Sequence, residues 1–229
     1  MTEAVAPTKD PARTSTWQMY RAMVGIGVGC GILIVGVFQA TLPRIERNKA
    51  EALQAAIFRV LPAAKTSETY AYKAPGGFAA VEGDPGDSPR VYAGYDYQNE
   101  LVGIAVEAAG MGYQDVIGII YGYSFEDQAV IGIQVLESKE TPGLGDKIET
   151  DPGFLQNFER LDVSLAEDGA GLANAVVAVR HGEKEHPWEV DGITGATISS
   201  VAIAAILNGS ADVWASRIQQ GLDDLRGGE

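Results

Sequence analysis

The chain has 229 residues, 46% hydrophobic and 21% charged, with a formal net charge of −14. That length allows one or two cores of ordinary size, and the composition is globular rather than disordered. A body this acidic repels phosphate backbones, which argues against nucleic acid as a partner, and the single cysteine, Cys30, excludes an intramolecular disulfide.

The charged residues before position 41 (Glu3, Lys9, Asp10, Arg13 and Arg21) nearly cancel, so the negative charge belongs to the rest of the chain. Residues 1–21 read as a tail. Ala22 to Leu42 contains no charged residue, and at ~1.5 Å per residue it spans ~31 Å, the hydrocarbon thickness of a bilayer. Trp17 and Tyr20 stand where interfacial aromatics are expected. The run is longer than a signal-peptide core and lacks a small-x-small cleavage site, so it reads as a retained anchor. Gly25, Gly27, Gly29 and Gly31 alternate within it, and inside a span such residues serve close helix packing rather than a dinucleotide fingerprint. Three cations precede the span (Lys9, Arg13, Arg21) and three come after it (Arg44, Arg47, Lys49), so charge alone leaves its orientation open.

Residues 43–72 read as a helical linker: Arg44 to Leu61 lacks Gly and Pro, and Pro62 stops the helix. Residues 73–90 are rich in Pro and Gly and read as loop or irregular edge. An internal echo comes next. Gly94-Tyr-Asp-Tyr leads to Leu101-Val-Gly-Ile-Ala-Val-Glu107, and Gly122-Tyr-Ser-Phe leads to Val130-Ile-Gly-Ile-Gln-Val-Leu-Glu137. Each copy reads as strand, turn and strand, with turns at Gln98-Asn99-Glu100 and Glu126-Asp127-Gln128. Two such hairpins predict one antiparallel sheet. Beyond them lies a glycine-rich loop, Glu140-Thr-Pro-Gly-Leu-Gly-Asp146. Then come a short helix near Phe154 to Arg160, a strand at Ala175 to Val179, and a helix over Ser199 to Leu225 expected to break near Asn208-Gly209. The predicted fold class is α+β, an antiparallel sheet packed by helices behind one N-terminal transmembrane helix. His181 and His186 lie in a charged, Pro-flanked stretch with no further His or Cys and do not read as a metal site.

The stretch Asp191-Gly-Ile-Thr-Gly-Ala-Thr-Ile-Ser-Ser200 leads straight into the last apolar helix. Capping needs only one hydroxyl or carboxylate. Here hydroxyls stand at Thr194, Thr197, Ser199 and Ser200, and Gly195 and Ala196 leave room beside Thr197 for a bulky group. A helix N-terminus also favours an anion. The residues alone suit either a plain cap or a phosphate site.

The same stretch, Asp191, Gly192, Thr194, Gly195, Ala196, Thr197, resembles the flavinylation motif of the FMN-binding domain family. Glu140-Thr141-Pro142-Gly143-Leu144-Gly145-Asp146-Lys147 resembles that family's second signature. The resemblance implies that residues 73–229 form an FMN-binding domain, that Thr197 carries FMN through a covalent phosphoester, and that a separate flavin transferase attaches it by splitting FAD and leaving AMP. It implies that Ser199, Ser200 and nearby backbone N–H groups solvate the phosphate, and that Glu140, Thr141, Leu144 and Gly145 belong to the loop beside the isoalloxazine. Gly143 and Gly145 are read as permitting close backbone approach.

Two kinds of membrane electron-transport protein in this family share the plan: the G subunit of Rnf-type complexes and the C subunit of the sodium-pumping NADH:quinone reductase. The wording Gly145-Asp146-Lys147-Ile148 is similar to the former. The expectation is an electron carrier, without catalysis of its own, among other Rnf-type membrane subunits that couple NADH/ferredoxin electron transfer to ion translocation. Family members hold this domain on the outer, periplasmic face of a bacterial inner membrane. A cofactor-free membrane-anchored scaffold and a noncovalent flavin module are the competing readings.

Overall fold

The computed structural model describes residues 16–73, 77–81 and 88–227. Most of the tail (1–15) and parts of the Pro/Gly-rich stretch (74–76 and 82–87) lie outside the described residues. The chain divides into two compact units, Met1–Ala50 and Glu51–Glu229.

One continuous helix, α1 (Thr16–Val60), carries the span and runs on through Pro43 into the linker. Its apolar window has a mean hydropathy of 2.1 with none of it buried. Met23, Ile26, Ile32, Leu33 and Phe38 are all exposed. Water is a costly solvent for such a surface, and a bilayer is the matching one; α1 anchors the chain in a membrane. Within the span Thr41 Oγ1 turns back to the carbonyls of Val37 (2.9 Å) and Phe38 (3.0 Å), which satisfies the hydroxyl.

The second unit is built on β1 (Thr66–Lys73), β2 (Gly77–Ala80), β3 (Arg90–Tyr95), β4 (Leu101–Met111), β5 (Val116–Ser124), β6 (Ala129–Glu137) and β7 (Leu161–Asp162). They form one antiparallel sheet in the order β2-β1-β3-β4-β5-β6-β7. The two expected hairpins are β3–β4 and β5–β6. The Pro/Gly-rich stretch contributes β2 as an edge strand. A 3₁₀ turn (Gly145–Glu149) and the short helix α2 (Pro152–Gln156) come after β6, and Asp151 caps α2 by accepting from Phe154 N at 3.0 Å. Then β8 (Val177–Val179) pairs in parallel with β9 (Glu189–Asp191), a strand the sequence pattern did not single out. The chain ends in α3 (Thr197–Gln220) and α4 (Leu222–Arg226).

Side chains alternate between two cores. Ile117, Ile119 and Tyr121 of β5 join Ile104 and Val106 of β4 against α3, which brings Ile203, Leu207, Ala211 and Ile218. Ile120 and Ala105 point the other way, against Ala56, Ile57, Val60, Leu61 and Ala64 at and after the end of α1. The second half of the expected linker is therefore part of a core, and the compact unit begins at Glu51. The echo in the sequence has its physical reason here. Gly94 pairs across the ladder with Gly103, and Gly122 with Gly132. A Cβ at Gly94 or Gly103 would come within 2.8 Å of Leu61, one at Gly122 would strike the Val60 carbonyl, and one at Gly132 would crowd the Val60 backbone at 3.1 Å. The four glycines leave room on the sheet for Val60 and Leu61.

The expected break at Asn208-Gly209 is not there: α3 is continuous and stops at Gly221. A helical glycine costs about 1 kcal/mol relative to alanine, but Leu207 and Ala211 on either side are fully buried, and Asn208 Oδ1 accepts from Val176 N at 2.8 Å. Tertiary burial outweighs local propensity.

Candidate functional site

The turn from β9 into α3 is held from several sides. Asn157 is buried. Its Nδ2 donates to Asp191 O (3.1 Å) and its Oδ1 accepts from Asp191 N (3.0 Å), so one side chain serves both backbone groups as a neighbouring strand would. Gly192 N donates to Val179 O at 3.0 Å, and a Cβ on Gly192 would sit 2.7 Å from that oxygen. Ser200 Oγ accepts from Ile193 N (3.1 Å) and donates to Ala196 O (3.0 Å). Gly195 has φ +85°, a conformation that glycine adopts without strain.

Thr197 is the first residue of α3 and is exposed. The N-cap residue is Ala196, with no side-chain cap bond. The Thr197 hydroxyl makes no hydrogen bond among the described residues. The plain-cap alternative for this threonine is therefore not what the geometry holds. The N–H groups of the first turn of α3 have no partner within the helix, and its dipole favours an anion there.

Ser199 and Ser200 are buried with their hydroxyls turned inward, Ser200 into the turn as above and Ser199 donating to the Glu140 carboxylate. Exposed on this turn are Thr194, Gly195, Thr197 and Ile198. Asp191 accepts from Gly182 N at 2.6 Å and lies 3.3 Å from His181 Nδ1. Thr194 lines a different cavity, of about 190 Å³, with Lys147 and His181.

The loop 140–145 meets this turn from the other side. Glu140 is buried; its carboxylate accepts from Tyr113 N (2.9 Å), Gln114 N (3.0 Å) and the Ser199 hydroxyl. Burial pushes its carboxyl up, but the Ser199 hydroxyl and the N–H groups of Gln114, Tyr113 and Asp115 outweigh that and hold it below the ordinary glutamate value. Gly143 has φ +78°, so a turn conformation requires it. Gly145 has another reason: a Cβ would lie 2.8 Å from Ser199 Oγ and collide with Glu140. Leu144 between them is 52% exposed.

The two stretches, about fifty residues apart in the chain, line one cleft of about 370 Å³ with Tyr113, Thr141, Leu144 and Gly145 on one side and Gly195, Ala196, Thr197, Ile198 and Ser199 on the other. Its lining is mostly apolar, and Tyr113, Leu144 and Ile198 are exposed at it. A flat aromatic ring fits such walls, and an anionic tail fits the start of α3. Tyr113 and Asn157 escaped the sequence reading; one is an aromatic in a turn, the other a lone Asn after a short helix, and neither belongs to a motif.

Residues 112–212, which include both faces of the cleft, match the FMN-binding domain family. Over 193 residues the chain is 30% identical to the G subunit of the ion-translocating oxidoreductase complex of Methanosarcina acetivorans, covering 83% of this chain and 89% of that protein. It is 31% identical over 131 residues to the G subunit of the Na(+)-translocating ferredoxin:NAD(+) oxidoreductase complex of Acetobacterium woodii, covering 57% of each. The chain belongs to the G-subunit family of ion-translocating oxidoreductase complexes. Its fold is shared with the C subunit of the Na(+)-translocating NADH-quinone reductase of Parabacteroides distasonis, with a TM-score of 0.56 at 18% identity over 81% of this chain and 98% of that one.

Proposed function

We propose that the chain carries FMN joined to Thr197 through a phosphoester and serves as a membrane-anchored electron carrier among the other subunits of an Rnf-type complex. Such a complex couples electron transfer between NADH and ferredoxin to ion translocation, and the domain faces the periplasmic side of the membrane. The observation that carries this reading is the cleft. It joins the loop Thr141–Gly145 to a helix start whose exposed threonine hydroxyl caps nothing.

When bound, FMN supplies one- and two-electron redox chemistry. The residues of this chain hold it. Thr197 Oγ1 bears the phosphorus, and the first-turn N–H groups of α3 neutralise the phosphate oxygens. Gly195 and Ala196 leave the tether uncrowded, while Thr194 lies on the neighbouring cavity with Lys147 and His181. Thr141, Leu144 and Gly145 border the ring, and Ile198 and Tyr113 extend the same walls. Ser199, Ser200 and Glu140 act from behind, by fixing the turn.

Attachment needs a partner, since an unassisted alcohol is a poor nucleophile. A flavin transferase with FAD as donor supplies what is missing: the Oγ1–P bond forms, the pyrophosphate P–O bond breaks, and AMP departs with release of the hydroxyl proton. The alternative, a reductase of the sodium-pumping NADH:quinone type, has the shared fold behind it, while the sequence relatives at 30% and 31% identity are G subunits. A cofactor-free scaffold leaves the cleft without an occupant.

The test is an intact mass of the purified chain, produced with the transferase. A gain equal to one FMN less water, together with a fluorescent band on a denaturing gel, is expected. An unmodified mass under those conditions refutes the attachment.

A further inference from the structure

The walls of the cleft come from three separate segments: the turn after β4 that carries Tyr113, the loop 140–145, and the first turn of α3. One side chain belongs to one of these and is bonded to the other two. Glu140 Oε1 accepts from Tyr113 N at 2.9 Å and from Gln114 N at 3.0 Å, while Oε2 accepts from Ser199 Oγ. A buried carboxylate is costly unless every lone pair facing the protein is used, and here they are used on two different elements. Its surroundings are shaped to admit it. A Cβ on Gly112 would lie 2.6 Å from Glu140 Oε1, and one on Gly145 would lie 2.8 Å from Ser199 Oγ. Neither glycine has a positive φ. At Gly145 the carboxylate and its hydroxyl partner fill the space; at Gly112 the carboxylate shares it with Ile117, whose Cδ1 would lie 2.5 Å from the Cβ.

We propose that Glu140 is the positioning residue of the cleft: it locks the 112–114 turn, its own loop and the start of α3 together, and so sets the pose in which the Thr197 tether and the apolar walls receive the isoalloxazine. This rests on the reading of Thr197 as the attachment point. Glu140 is no contact for the ring itself. It is 6% exposed and both its oxygens are taken by protein donors. It acts through Ser199, two residues from the tether, and through Tyr113. Glutamine in its place keeps the arrangement, because its carbonyl oxygen still accepts the two backbone N–H groups and its amide donates to the Ser199 hydroxyl. Alanine leaves two buried N–H groups without an acceptor and frees Ser199.

The experiment uses the full chain in detergent, loaded with flavin by co-produced transferase, as wild type, Glu140→Gln, Glu140→Ala and Ser199→Ala. Intact mass reports the tether, iodide quenching and anisotropy decay of flavin emission report its mobility, and hydrogen exchange at the Ser200 amide reports the start of α3. In Glu140→Ala the tether is expected to persist while the quenching constant about doubles, since a ring released from one wall exposes a second face. The Ser200 amide should exchange roughly tenfold faster, as befits the loss of a bond to a charged group. Glu140→Gln should match wild type in quenching and anisotropy, its lost charge showing in stability alone, and Ser199→Ala should fall between. Wild-type quenching and anisotropy in Glu140→Ala overturn the proposal. So does a folded Glu140→Gln that matches Glu140→Ala, because charge rather than bonding geometry would then be at work. If Glu140→Ala does not fold, Ser199→Ala decides: unchanged flavin mobility overturns the proposal and increased mobility supports it. A wild-type mass without FMN refutes the attachment instead. The lock is then read from Ser200 exchange in Glu140→Ala or, if that variant does not fold, in Ser199→Ala; faster exchange supports it and exchange at the wild-type rate overturns it.

Discussion

Replacing Thr197 by alanine separates a tether from a cap. A capping threonine changed to alanine costs about 0.5–2 kcal/mol. In a unit of this size 1 kcal/mol moves Tm by about 2–4 °C, so a cap predicts a fall of about 1–8 °C. The structure assigns Thr197 no such bond: the N-cap is Ala196, and Thr197 is exposed at the first position of α3. Alanine is the better helix former by roughly 0.5 kcal/mol, so Tm should hold or rise by about 1–2 °C. Flavin should vanish completely from the denatured chain. The melt belongs on protein made without the transferase, so that a lost ligand does not enter the stability. Mass spectrometry and gel fluorescence belong on protein made with it. A fluorescent band from Thr197→Ala would place the bond elsewhere, with Thr194 the next candidate. A fall in Tm of several degrees would restore the threonine to the role of a cap.

Leu144→Asp should leave the covalent yield near normal and lower the flavin midpoint potential. A half-exposed carboxylate beside the ring opposes added electrons by on the order of 1 kcal/mol, about 40 mV for one electron; a redox titration with an unchanged potential would remove Leu144 from the ring's border. Gly145→Ala should destabilise the unit by about 1–3 kcal/mol through collision with Glu140 and Ser199. Gly143→Ala should cost only about 1 kcal/mol, for its φ of +78° alone; denaturant melts that reverse this order would refute the two assignments. The Glu140 carboxyl titrates below its ordinary value in the folded chain. Its contribution to stability is therefore complete above the ordinary glutamate pKa and drains away as pH falls through the lowered one. Melts of wild type and Glu140→Gln should converge as pH drops through that interval, and a constant gap between them would contradict the assignment.

Much of this molecule could be read from the chain alone, wherever a local rule had only one physical solution. An uncharged run from Ala22 to Leu42 has few homes other than a bilayer. Alternating strands on either side of Gln98–Glu100 and Glu126–Gln128 can hardly avoid forming hairpins. The motifs around Thr141–Gly145 and Asp191–Thr197 were visible because their small residues and hydroxyls sit next to each other in sequence. Their meeting in one cleft was not visible, since it depends on how α3 crosses β4 and where the turn after β4 lands. Glu140 as a clamp could not be read either: its partners, Tyr113, Gln114 and Ser199, stand 27, 26 and 59 residues away. Nor could Asn157, which serves both backbone groups of Asp191 from 34 residues off. The same physics explains the misplaced helix break. The weak local preference of Asn208-Gly209 was legible, but the burial of Leu207 and Ala211 that overrides it exists only once the sheet is in place. Even the echoed glycines became intelligible only when the end of α1 was seen lying on Gly94, Gly103, Gly122 and Gly132. Sequence carries the chemistry of neighbours along the chain. Burial, close approach and the partners of buried charges are relations across it, and only the tertiary structure decides them.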